Sequence, residues 1–307
     1  MYASVRWPRV ATPLTLLTLI LLPLATLIGL LVPGLYRDTA WMIPQARGQD
    51  LMTFVTIEPL LMVALLAYRK RPITAVLAWM GALGYVLYTY AMYSYTTYFN
   101  ALFLVYVALF ATSLFALIDL LAHLNPEQVR ASLRPMLPTR VIAVYCALVG
   151  LFFLVAWLGQ IVPATLQGTT PESILLAKTP TSAVHVQDLA VVLPLYLLTA
   201  VWLWRRRAWG FVLAPILLIL ADVMLLALLA MGLFMAQAGF AGSLDMAPIF
   251  AVLALLSLAL TGVYFVNIQA PHAAETPVNP ESTALSGRGQ PTRHAEYDGV
   301  SHRALGQ

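Results

Sequence analysis

The chain has a single cysteine among its 307 residues, so it forms no internal disulfide and carries no Cys-x-x-Cys metal or redox pair. That residue, Cys146, stands inside an apolar run, where a small buried side chain is its ordinary role. Charge is scarce too. Asp, Glu, Lys and Arg make up 10% of the chain while 61% is hydrophobic, and a soluble domain carries about 25% charged residues. Such a chain cannot clothe itself in a polar surface, so the bilayer must be its solvent. No P-loop, HExxH, GxSxG or dinucleotide fingerprint appears. Paired histidines at helical spacing are also missing. These absences weigh against an ATP-driven pump, a metalloprotease and a cytochrome, and the sequence calls for no cofactor and no metal. The net charge of +4 does not point to nucleic acid, because the basic residues gather at the ends of apolar runs.

Apolar runs are what the chain has most of. A membrane helix needs about 20 mostly apolar residues, and eight runs qualify: 11–33, 51–68, 72–95, 99–123, 140–163, 188–204, 209–236 and 246–268. The expected fold is all-α, a polytopic bundle of eight transmembrane helices. The first run exceeds a signal-peptide core of about 7–15 residues and lacks a small-residue cleavage pattern, so it reads as a retained span.

Lys and Arg set the expected orientation. With the N-terminus inside, Arg6, Arg9, "RKR" at 69–71, Arg130, Arg134, Arg140, "RRR" at 205–207, Arg288, Arg293 and Arg303 fall in the cytoplasm. Only Arg37, Arg47 and Lys178 fall outside. The alternation holds at every loop, giving N-in and C-in.

Two stretches read alike. "QDLMTFVTIEPLLMVALLAYRKR" begins at Gln49 and "QDLAVVLPLYLLTAVWLWRRR" at Gln187. Ahead of them, Gly29, Val32 and Pro33 match Gly159, Val162 and Pro163. The reading is a duplication: residues 1–124 and 140–268 form two tandem four-helix repeats in parallel orientation, joined by a cytoplasmic linker at 125–139. An even number of spans per copy keeps the orientation, as in parallel-repeat transporters. In the linker, Asn125 is placed to cap a short helix opened by Pro126. "PESILLAK" in the outer loop reads as a surface helix. From 269 to 307 the composition turns to Pro, Ser, Gly, Thr and His, and a disordered cytoplasmic tail is expected.

An acid inside a span costs at least about 2.5–3.5 kcal/mol, so it is a functional candidate by default. Glu58 and Asp222 are the clearest, both placed in the outer half of their spans and expected to share one wet pocket. Pro59 follows Glu58, and Pro194 and Pro215 lie in spans six and seven; each removes a backbone hydrogen bond. Asp50 and Asp188 are expected at the outer mouths of spans two and six, where a helix N-cap is the plainest role. Gln49 and Gln187 precede them and would line an acidic vestibule that favours cations. His185 lies beside that mouth. Span three carries six tyrosines from Tyr85 to Tyr98. Most suit a headgroup belt, with Tyr85 or Tyr88 the ones to line a cavity and offer a cation–π face. Asp119 and His123, four apart, read as an interfacial pair.

The segments "GQDLMTF", "GYVLYTYAMY", "FNALFLVYVALF" and "WRRRAWGFVLAP" resemble a group of multi-pass proteins of bacterial genomes. The resemblance implies a bacterial inner (plasma) membrane location and brings no activity or catalytic residue with it. The functional expectation is therefore a permease or binding protein for a cation, proton or small amine, with membrane lipid as its surroundings and an acidic site open to the outside. The alternatives are an intramembrane enzyme acting on a lipid, or a non-catalytic sensor or assembly partner. The oligomeric state stays open.

Overall fold

A computed structural model describes residues 8–269. Apart from an isolated bridge between Leu133 and Ile268, all regular structure among them is helical. Eight helices are long and apolar enough to cross a membrane: α1 (Ala11–Leu31), α2 (Met42–Ala67), α3 (Pro72–Thr96), α4 (Phe103–His123), α6 (Thr139–Gln167), α8 (Ala183–Trp204), α9 (Ala208–Gln237) and α10 (Ala247–Val266). Two short helices join them, α5 (Pro126–Ala131) and α7 (Glu172–Ala177). Asn125 caps α5 as its sequence suggests, its side chain accepting from the N–H groups of Glu127 and Gln128. The expected tail beyond 269, with its arginines, and Arg6 lie outside the described residues.

The eight long helices run alternately up and down. Contacts between distant loops fix which ends lie together. The Ala11 N–H donates to Asp119, and the Arg134 N–H to the Asn267 carbonyl, at one end. The Tyr98 N–H donates to Asp38, and its hydroxyl to the Lys178 carbonyl, at the other. The first end carries Arg69 to Arg71, Arg130, Arg134, Arg140 and Arg205 to Arg207 and is the basic end. The second is the acid-rich end.

Helices α3 and α9 form the centre. Of the most apolar window of each, 67% is buried, against 33% or less for the other six. They pack on each other, and the remaining spans pack around them. Within lipid, apolar contact alone does not drive helices together, because acyl chains are as apolar as leucine. Small residues and hydrogen bonds between helices supply the rest, at about 0.6 kcal/mol per bond on average. The first four spans show this: Trp79 donates to Thr15 at 2.8 Å, and Thr18 meets Thr112 at 2.9 Å. The bonds stitch α1 to α3 and to α4.

Two spans begin earlier than their apolar runs. Helix α2 starts at Met42 rather than 51, and α8 at Ala183 rather than 188. The hydropathy signal breaks at Gln-Asp in both, so the polar first turns look like loop. The backbone nonetheless stays helical, because these polar side chains find partners inside the bundle. The N-cap of α8 is Ser182, which accepts from the His185 N–H. Asp50 and Asp188 are therefore not helix caps.

Both helices also widen. Residues Thr53–Ile57 of α2 and Asp188–Val192 of α8 form π-helical turns. Each ends two residues before a proline, Pro59 or Pro194. A proline lacks an N–H and its ring crowds the carbonyl four residues back. A turn with bonds spanning five residues relieves that crowding without breaking the helix. Pro215 meets the same problem differently. Helix α9 stays regular, and the freed Phe211 carbonyl accepts the Tyr264 hydroxyl from α10.

Candidate functional site

A cavity of about 770 Å³ opens at the acid-rich end, between α2, α3, α6, α8, α9 and α10. Its roof is the segment from Pro171 to Ser182, including α7. Most of its wall is apolar: Phe153 of α6, Tyr196 of α8, Leu220 and Leu228 of α9 and Phe250 of α10 are examples. Polar groups enter it from the rim and roof, among them Asp38, Glu172 and Ser173, and from Gln160 of α6. Asp188, His185, Tyr88 and Gln49 all line it, and among the described residues no lysine or arginine does. The size falls within the roughly 300–1,000 Å³ typical of small-molecule sites.

Asp188 is the focus. It is 8% exposed, at the first position of the π turn of α8. The Tyr88 hydroxyl of α3 donates to one carboxylate oxygen at 3.0 Å, and the Trp157 indole N–H of α6 donates to the other at 2.7 Å. An indole N–H is a donor only, so at least the second oxygen is held as an acceptor. Three helices thereby fix the carboxyl at the cavity wall, with lone pairs left over. His185 lies one turn earlier on α8. Its ring meets Trp157 edge-on at 4.7 Å, and its Nδ1 is buried without a hydrogen-bond partner. Gln187 turns aside and donates to the Tyr88 carbonyl at 3.2 Å, which ties α8 to α3.

Asp50 sits elsewhere. It is 2% exposed, and both Tyr36 and Tyr93 donate to its carboxylate. Tyr36 lies in the loop after α1, where burial pushes its phenol well above the ordinary range, so it keeps its proton and donates. Gln49, one residue before, donates to Tyr85 at 3.1 Å and Thr89 at 3.0 Å, and Thr53 meets the same Tyr85 hydroxyl at 2.9 Å. This network pins α2 to α3, while the side-chain amide oxygen of Gln49, a residue that lines the cavity, is buried without a partner. Tyr85, Tyr88, Tyr90 and Tyr93 are all buried, which corrects the headgroup-belt reading for these four; Tyr95 and Tyr98 are the exposed ones. At the rim, burial raises the Asp38 carboxyl above its usual range, partly offset by the bond it accepts from the Tyr98 N–H.

Gly29 of α1 exists to make room for this arrangement. A Cβ there would lie 2.1 Å from an Asp50 carboxylate oxygen and 2.7 Å from the Tyr36 hydroxyl. Gly29→Ala is expected to lower stability by about 1–3 kcal/mol, the usual cost of overpacking. In an Asp50→Ala background the cost should shrink, because the nearest clashing atom, the Asp50 carboxylate oxygen, is gone and the Tyr36 hydroxyl is freed to move. A double-mutant cycle on thermal unfolding in detergent measures this coupling; equal costs in both backgrounds would show that the contact does not matter.

Glu58 and Asp222 do not share a pocket, and neither lines the cavity. Glu58 opens the α-helical stretch after the first π turn, and that stretch packs against α1 and α3 rather than α9. Its Oε2 is buried without a partner. Asp222 faces α10, where the Thr261 hydroxyl donates to it at 2.7 Å. Hydropathy gives depth along a helix but not rotation about its axis, and the two acids point to different neighbours. Asp119 and His123 do pair, at 3.3 Å near the basic end. Among the described residues, Asp50, Glu58, Asp188 and Asp222 have no Lys or Arg within salt-bridge distance.

The residue sequence reasoning missed is Trp157. Its only signal was an aromatic in the outer half of an apolar run, which suits a lipid-facing belt equally well. Set against models of protein families, curated proteins and solved structures, the chain matches none.

Proposed function

We propose that the protein binds an organic cation, an amine carrying apolar groups, at Asp188, and that it serves as a permease or binding protein for it. The observation that carries this reading is a buried carboxylate, without a cationic side chain in reach among the described residues, in the wall of a large aromatic cavity. An unpaired charge in a low-dielectric site is costly, and a ligand ammonium would offset that cost. Tyr88, Trp157 and Tyr196 around the acid offer π faces to the same cation. Gln49 and His185 present unpartnered polar atoms that a ligand N–H or hydroxyl would satisfy.

The finer architecture belongs to the same proposal. The basic end faces the cytoplasm, in keeping with the Lys and Arg bias, so the cavity opens outward from a bacterial inner membrane. The halves before and after α5 are parallel repeats. In support, each half has a π turn set at the same distance before a proline in its second span, and the two central helices, α3 and α9, are the third spans of their halves. Parallel repeats with a binding site at their seam and interrupted helices around it are a transporter design.

The test uses 4-phenylbutylamine and its neutral analogue 4-phenylbutanol, titrated calorimetrically into the protein in lipid nanodiscs and corrected with empty discs. The amine is expected to bind at least about tenfold more tightly, or about 1.4 kcal/mol. Equal affinities would end the reading of a cation site. Uptake of the amine into proteoliposomes then separates permease from binding protein.

A further inference from the structure

The cavity has a wall that the first half of the molecule lacks. In the first half, the outer pair of spans, α1 and α4, pack closely along their length. The corresponding pair in the second half, α6 and α10, pack sparsely. Deep in the bundle the Tyr145 hydroxyl of α6 donates to the Leu253 carbonyl of α10 at 3.0 Å. Nearer the acid-rich end the pair meets through Phe153 and Phe250, whose rings stack 6.4 Å apart at 13°. Both rings line the cavity and both are half-buried. Above them α10 has only one further turn, from Ala247, while the α6 wall continues through Trp157 and Gln160. Two stacked side chains therefore stand between an apolar cavity and the side of the bundle that faces hydrocarbon.

The distribution of polarity inside the cavity matches that opening. Asp188 is gathered with Tyr88 and Trp157, which donate to it, and with His185, which packs on Trp157. The wall from Val149 through Phe250 to Leu228 is apolar. A compact polar ligand would leave that wall unfilled. Asp38, Glu172 and Asp188 line the cavity and, among the described residues, no Lys or Arg does, which disfavours a phosphate-bearing head.

Resting on the amine site proposed above, we infer that the ligand is an amphiphile, a long-chain amine without phosphate, which reaches the cavity sideways from the membrane between α6 and α10. Its ammonium group lies at Asp188, and its tail runs along Phe153 and Phe250 toward the seam. The Phe pair parts to admit the tail and closes over the site when it is empty. The outer mouth under the 171–182 roof remains the route for water.

The test compares butylamine, octylamine and dodecylamine as competitors of 4-phenylbutylamine, with the wild-type protein in nanodiscs and partition into empty discs subtracted. It adds a dodecylamine carrying a photoreactive diazirine at mid-chain, with labelled residues mapped by mass spectrometry. Affinity is expected to rise by about tenfold or more from butylamine to dodecylamine, since each buried methylene adds to binding. The label should fall on residues 149–157 and 247–254 and disappear in Asp188→Asn. Labelling confined to the mouth, at 38–46 and 171–184, or affinity flat with chain length, would overturn the lateral route while 4-phenylbutylamine still binds. If no amine binds at all, the amine site itself fails and this inference with it. A single-chain phospholipid that outcompetes dodecylamine would overturn the assignment of the head group.

Discussion

Asp188→Asn is expected to weaken 4-phenylbutylamine binding by at least about 30-fold, or about 2 kcal/mol, the lower end for breaking a buried charge pair. The substitution is well suited to isolate charge from structure. Asparagine has the shape of aspartate but one acceptor oxygen instead of two. The Trp157 indole N–H can only donate, so the amide oxygen must turn toward it. The amide NH₂ then faces Tyr88, whose hydroxyl can accept as well as donate. Both neighbours keep a hydrogen bond to residue 188, the Tyr88 O–H turning toward the cavity that Tyr88 lines, and α3, α6 and α8 stay tied together. Thermal stability should therefore change by less than about 1 kcal/mol, while the attraction for an ammonium disappears. Calorimetric titration and a melting curve on the same sample check both halves. Unchanged affinity would show that the cation, if bound, is held elsewhere. Lost affinity with a large loss of stability would show that Asp188 is structural.

The eight spans were legible because hydropathy and length are one-dimensional properties. Their ends agree with the structure to within about four residues wherever the helix is apolar to its tip. The exceptions are residues 42–50 and Ala183–Gln187, where polar turns continue a helix into the protein interior, and no sequence window separates that from a loop. The repeated Gln-Asp-Leu was visible, but what each Asp does was not. Asp50 is enclosed by two tyrosines, while Asp188 borders a cavity, and the difference depends on which helices pack nearby. Gly29 and Gly159 make the same point. They occupy matching places in Gly-x-x-Val-Pro, yet a Cβ at Gly159 would touch nothing within 4 Å. Similar sequence records similar local geometry, and tertiary contact decides whether it is used. The choice of Glu58 and Asp222 as a pair failed for the corresponding reason. Facing depends on rotation and crossing angle, which neither hydropathy nor proline position encodes.

Gly48→Ala is expected to be among the most damaging single-methyl additions at the described glycines. Helix α2 crosses α9 at this residue, and a Cβ would lie 2.5 Å from the Met231 nitrogen, 2.7 Å from its Cα and 2.8 Å from the Ala230 carbonyl carbon. All three are backbone atoms, so no side chain can swing away, and the two helices must separate. Close approach through glycine is what lets membrane helices gain dispersion energy that apolar contact with lipid would otherwise match. Separation forfeits that gain along the crossing, and the expected loss is about 3 kcal/mol, the upper range for overpacking. The effect extends to the cavity. Gln49 is the next residue, and Met231 itself lines the wall, so moving α2 away from α9 shifts one side of the site. Amine affinity should therefore fall together with the melting temperature, in contrast to Asp188→Asn, where affinity falls alone. Gly159→Ala serves as the control. It lies in a regular stretch of α6 with open space around it, and alanine favours a helix over glycine by roughly 0.5–1 kcal/mol. Its melting temperature should stay level or rise. If Gly48→Ala melts like Gly159→Ala, then α2 and α9 do not approach as closely as the structure has them, and the wall of the cavity on that side must be redrawn.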